Sequence, residues 1–253
     1  MAFYNRFDTV LMERILPHKE GIHQVSLYAH GFRLLDAVSM FGVLFAGMLL
    51  PIFSRMIKLK QSIGEMVGFA FTLIIFISLT TSLASFFYRF EIMEWMQYDY
   101  VAESAPIFAT LMFGFIPITT TYIFGTLLTA NGSIKELNIM AFTGMVINVS
   151  LNLILIPRFK AEGAAFVSLS TQLVTAIAQV LIAVRIFRLK VKWNIILRIL
   201  LYSLLVLAIG YFSRSIDHKV IGFLVMFSAS TLVAFLIRLI DLKKLFNIVM
   251  DRD

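Results

Sequence analysis

Seven stretches of this chain stay apolar for about 20 residues or more, and that repetition decides what it can fold into. They cover 24–53, 63–88, 105–130, 137–156, 163–187, 194–212 and 219–240. An α-helix rises ~1.5 Å per residue, so each can cross a hydrocarbon layer of ~30 Å with its backbone amides satisfied internally. Period-two alternation, the mark of a half-buried strand, is absent over any useful length. The pattern predicts an all-α integral membrane protein, a polytopic helix bundle of about seven full transmembrane helices. An eighth segment, 1–16, is apolar and amphipathic but carries Arg6 and Asp8, and it reaches only ~24 Å. It reads as a clipped transmembrane helix, the far end of a longer one. A helical bundle over 17–253 follows, with a basic tail from about 241.

Composition excludes the other classes. The chain is 60% hydrophobic and 15% charged; soluble domains run at ~45–50% and ~25%. That much apolar surface rules out disorder and overfills any single water-facing fold. With no cysteine there is no disulfide framework and no thiolate metal site. A net charge of +7 would suit a nucleic-acid binder, but the basic residues sit in short clusters between apolar runs, as membrane loops do. No nucleic-acid partner is expected.

Breakers fall between the runs. Pro17 and Gly21 follow the first segment, Asn131–Gly132 the run 105–130, and Pro157 with Gly163 bracket a short loop after 137–156. Pro51 and Pro117 lie inside runs, which membrane helices tolerate. Lys and Arg set the orientation. Segments 54–62, 131–136, 185–198 and 238–253 hold 13 of them, against 7 in the alternate loops. The richer side is cytoplasmic by the positive-inside rule, which puts the C-terminus inside. The segment 89–104, with Glu91, Glu94, Asp99 and Glu103 against one Arg, suits the outside. Its Trp95, Tyr98 and Tyr100 suit an interfacial belt.

Charge at membrane depth marks a functional site by default, because it is costly to keep there. Arg6, Asp8, Arg33 and Asp36 qualify. Arg33 and Asp36 are three apart and share a helix face, so they form either an ion pair that locks two helices or a cationic site in a wet cavity. The planar guanidinium of Arg33 is shaped to bind phosphate through two parallel bonds. His30 shares that face and reads either as packed or as a proton-coupling group. His18, His23 and His218 fall in external loops. Ser168, Thr171, Gln172, Thr175 and Gln179 form a stripe at spacings of three and four; Asn148 and Asn152 repeat the pattern on the run before. Hydrogen bonding between helices competes here with a sugar-lining surface. No HExxH or carboxylate–histidine cluster is present, and no metal or cofactor is expected.

Two stretches resemble bacterial polysaccharide and O-antigen flippases of the multidrug/oligosaccharidyl-lipid/polysaccharide exporter superfamily. In residues 7–57 these are Asp8, then Tyr28, Arg33 and Leu34 on one helix, then Pro51, Ser54 and Arg55. In residues 127–174 they are Asn131–Gly132, Asn148 and Asn152, Ile156–Pro157, and Gly163–Ala164–Ala165. The resemblance implies a fold of two helical lobes around a central cavity, of which this chain looks like the second. It implies flipping of polyprenyl-pyrophosphate-linked oligosaccharide across the bacterial inner membrane for surface polysaccharide such as lipopolysaccharide. It makes a separately encoded N-terminal lobe a candidate partner, and transport by this chain alone is not expected. The candidate substrate-binding residues are Arg33, Asp36, Asp8, Arg6, His30, Asn148, Asn152, Gln172 and Gln179. A drug or peptidoglycan-precursor exporter of the same superfamily is the nearest alternative. From other classes stand a polyprenyl-dependent glycosyltransferase or ligase and a non-transporting scaffold. The acids of 89–104 lack a basic partner in any recognisable motif, so an enzyme is not expected.

Overall fold

The turn at Leu16–Pro17 is too short for anything but a tight reversal between two helices, and it organises the first half of the bundle. The computed structural model describes residues 7–190 and 193–239; Arg6 and the basic tail from about 241 lie outside them. Every regular element among the described residues is helical. In chain order these are α1 Phe7–Ile15, α2 His18–Lys58, α3 Gly64–Phe87, α4 Arg89–Trp95, α5 Val101–Phe113, α6 Phe115–Ala130, α7 Ile134–Phe187, α8 Trp193–Ser213 and α9 Lys219–Leu236.

Six stretches are long and apolar enough to cross a membrane, with α5 and α6 counted together as Val101–Ala130. The sequence predicts seven runs, two of which, 137–156 and 163–187, fall within α7. Its 54 residues would extend ~81 Å if straight, far beyond a bilayer core. Lys160, at φ 51° and ψ −131°, reverses it. A Cβ added at Gly163 would lie 2.8 Å from the Leu155 carbonyl oxygen, and one at Gly144 would lie 3.2 Å from Thr175 Oγ1. Both pairs straddle Lys160 almost symmetrically, so α7 is an antiparallel hairpin. Its first arm carries the run 137–156 and its second arm the run 163–187. The expected loop between Pro157 and Gly163 shrinks to one non-helical residue.

Three other boundaries differ from the sequence reading. α2 begins at His18, so Gly21 and His23 are helical rather than in a loop. The segment 89–104 contains α4. The run 105–130 begins earlier, at Val101, and breaks at Gly114. Pro117 therefore falls in the first turn of α6, where its missing N–H has no helical acceptor to lose.

The α5–α6 stretch is the most enclosed and sits among α2, α3 and the α7 hairpin. α8 and α9 pack on the far side of α3. Polar side chains fasten that side: Thr80 and Tyr202 lie 2.6 Å apart, and Tyr88 donates to Ser213 at 3.0 Å; on its other side α3 is tied to α5 by Ser82, which donates to the Met112 carbonyl at 2.6 Å. Phe142, Phe166, Leu181, Leu204 and Leu232 are more than half exposed, which is what helices that face lipid present.

The loops sort into two ends. At one, Gly64 approaches Leu189, Gly68 approaches Ile195, and Arg198 donates to the Arg238 carbonyl at 2.8 Å. At the other, Glu91 pairs with Arg214, Trp95 packs on Phe223, and Lys160 pairs with Glu20 at 2.5 Å. These are the two groups that the Lys and Arg pattern separates, and the first is the basic one.

Candidate functional site

A carboxyl group on an apolar helix must find hydrogen-bond partners inside the protein, and Asp8 finds them on two other helical segments. The tight α1–α2 reversal sets Asp8 opposite Tyr28, whose hydroxyl donates to Asp8 Oδ2 at 2.9 Å. From the first arm of α7, Asn152 Nδ2 donates to Asp8 Oδ1 at 2.7 Å and reaches Asn148 Oδ1, one turn away, at 3.1 Å. Asn148 also lies in hydrogen-bonding range of Asp8, and Ser168 of the second arm in range of Tyr28. All five side chains are buried, Asp8 completely. The partners among the described residues are neutral, so charge on Asp8 is balanced by dipoles alone. One acceptor, Asn152 Oδ1, is buried without a partner. A carboxyl group in this setting, among neutral oxygens, is built to hold a proton or one small cation in place of an uncompensated charge.

The stripe on the second arm of α7 continues from this network toward the basic end. Ser168, Thr171, Gln172, Thr175 and Gln179 are all buried. Thr171 and Thr175 face Gly144 of the first arm, and Gln179 faces Gly125 of α6. The stripe therefore lies between helices of this chain, not on an open wall.

Ion pairs join Lys160 to Glu20 and Arg214 to Glu91. Arg33 and Asp36 are both exposed on α2, and Asp36 is near enough to Tyr28 of the Asp8 network to act on it electrostatically. The same open face turns apolar further along, at Met40, Phe41, Leu44 and Met48. His30 stacks on Tyr98, with ring centroids 4.1 Å apart and planes 5° from parallel. His23 meets Tyr100 edge-on at 4.8 Å and Glu103 at 3.1 Å. Tyr98 and Tyr100 thus both reach α2, with Tyr100 still mostly exposed, and His23 lies in that helix rather than in a loop.

Sequence reasoning picked out Asp8, Asn148 and Asn152, and the fold brings these three together. It passed over Tyr28 and Ser168 as network members. Tyr28 was recoverable, since a turn at 16–17 pairs residues whose numbers sum to the mid-thirties, and a buried phenol needs a partner. Reading 17–23 as a loop hid that register. Among the described residues no group of three or more His, Cys, Asp or Glu could hold a metal ion. No family model matches the chain, and comparison with curated proteins finds no match.

Proposed function

We propose that this chain acts as one lobe of a membrane transporter that flips polyprenyl-pyrophosphate-linked oligosaccharides across the bacterial inner membrane for surface polysaccharide assembly. The observation that carries the transport reading is the Asp8 network, an acid held by neutral groups in the interior of a membrane-type bundle. It joins α1, α2 and both arms of α7. A proton or small cation that enters or leaves Asp8 changes the bonds fastening these elements, and so couples its own passage to their movement. The substrate class rests on the resemblance in 7–57 and 127–174 and on Arg33. Arg33 stands on the open face of α2, where a guanidinium can meet the two adjacent phosphates of the lipid carrier through paired bonds. The basic end faces the cytoplasm, and a second lobe completes the cavity opposite α2.

The test is export by a complete two-lobed flippase carrying this lobe, in a strain that lacks its own. Surface polysaccharide should be restored by the native sequence and lost with Asp8→Asn at unchanged protein abundance. Full export by an abundant Asp8→Asn protein would remove Asp8 from the mechanism.

A further inference from the structure

The polar groups on the second arm of α7 extend the Asp8 network well into the basic half of the bundle. Ser168, Thr171, Thr175 and Gln179 succeed one another at three or four residues, over ~16 Å of helix. Helix packing alone would pair each with a neighbour. Instead Thr171 Oγ1 and both polar atoms of the Gln179 carboxamide are buried with no hydrogen-bond partner, as is Asn152 Oδ1 at the upper end. Gln179 has no exposed surface at all. Four such atoms in one line are costly if left dry, and ordered water is the usual remedy. Opposite them stand the glycines Gly144 and Gly125. A Cβ there would lie 3.2 Å from Thr175 Oγ1 and 3.1 Å from Gln179 Oε1, so their absent side chains leave the line its room.

We propose that this line is a hydrated seam along which the proton exchanged at Asp8 moves toward the basic end of the bundle. The proposal rests on the exchange role given to Asp8 above. Among the described residues Tyr28, from α2, is the titratable side chain bonded to Asp8, while the arms of α7 present amides and hydroxyls. The seam passes hydroxyls and a carboxamide, which support a chain of waters. Below Gln179, an apolar layer of Leu128, Met140 and Ala183 separates it from the basic surface. Exchange therefore waits on movement of that layer.

Two measurements on the full chain in lipid vesicles test this. Solid-state NMR follows magnetisation passed from water to side chains. Gln179 and Thr175 should receive it an order of magnitude faster than Ala183, which is equally buried but sits in the apolar layer. Equal rates would mean a dry stripe and end the proposal. The second measurement uses dicyclohexylcarbodiimide, which traps protonated carboxyl groups from the lipid phase, so its adduct on Asp8 reports protonation. In vesicles of one orientation, labelling of Asp8 should follow pH changes at the basic end. Thr175→Val combined with Gln179→Leu should slow that response by an order of magnitude. Labelling that follows only the opposite side, or that is unchanged in the double variant, overturns the route. Absence of label on Asp8 at every pH would instead sink the exchange role itself, a failure distinct from a labelled Asp8 that ignores the basic side.

Discussion

Tyr28 donates its hydroxyl to Asp8 at 2.9 Å, and neither side chain has any exposed surface. The bond ties the α1–α2 reversal together at the level where Asn152 reaches in from α7. Removing one member leaves the others buried without a partner, so the two ends of the bond respond differently to mutation. Tyr28→Phe leaves a buried Asp8 oxygen without its donor, which should cost about 1–3 kcal/mol and lower the unfolding temperature in detergent. Asp8→Asn keeps an oxygen to accept from Tyr28, so its unfolding temperature should fall less. An unfolding temperature for Tyr28→Phe equal to that of the native protein would show that the bond contributes nothing to the fold.

Arg33 is exposed on α2, so it should be dispensable for folding. In the complete flippase, Arg33→Ala should leave membrane abundance unchanged and abolish export. Arg33→Lys, which keeps the charge but loses the fork, should retain part of it. Abundance and surface glycan are measured together. A drop in folded Arg33→Ala protein, recovered by adding Asp36→Ala, would make a stapling ion pair the right reading.

The two ends of the bundle should be separable chemically. The chain has no cysteine, so single replacements carry no background. Lys190→Cys should react with an impermeant maleimide only from the cytoplasm, and Glu94→Cys only from outside; both native residues are exposed. Reversed labelling would invert the orientation and the direction assigned to the seam.

The hairpin in α7 makes a paired prediction. Gly163→Ala places a Cβ 2.8 Å from a backbone carbonyl oxygen, which cannot swing aside as a flexible side chain can. It should lower the unfolding temperature markedly. Lys160→Gly relieves a backbone conformation that side chains disfavour, and it gives up only the surface pair with Glu20. It should leave the temperature level or raise it. The opposite order in a thermal scan would mean that the reversal at Lys160 is not the conformation adopted in the membrane.

Helix class, the membrane environment and the grouping of loops were legible in the sequence. Each follows from a local quantity, either the length of an apolar run or the sign of the charge between runs. Asp8, Asn148 and Asn152 stood out for the same reason, since a polar group on an apolar helix needs no neighbour to look anomalous. What they bond was not legible. The 144 positions between Asp8 and Asn152 close only because α1 reverses at Leu16–Pro17 and the hairpin sets the first arm of α7 beside it. Arg33 and Asp36 show the converse. Their spacing of three fixes a shared face and nothing more. Packing decides where that face points, and here it leaves both side chains exposed. Backbone hydrogen bonding within each run makes the helices inevitable from sequence. Which polar groups meet depends on side-chain packing between runs far apart in the chain, and that only the tertiary structure decides.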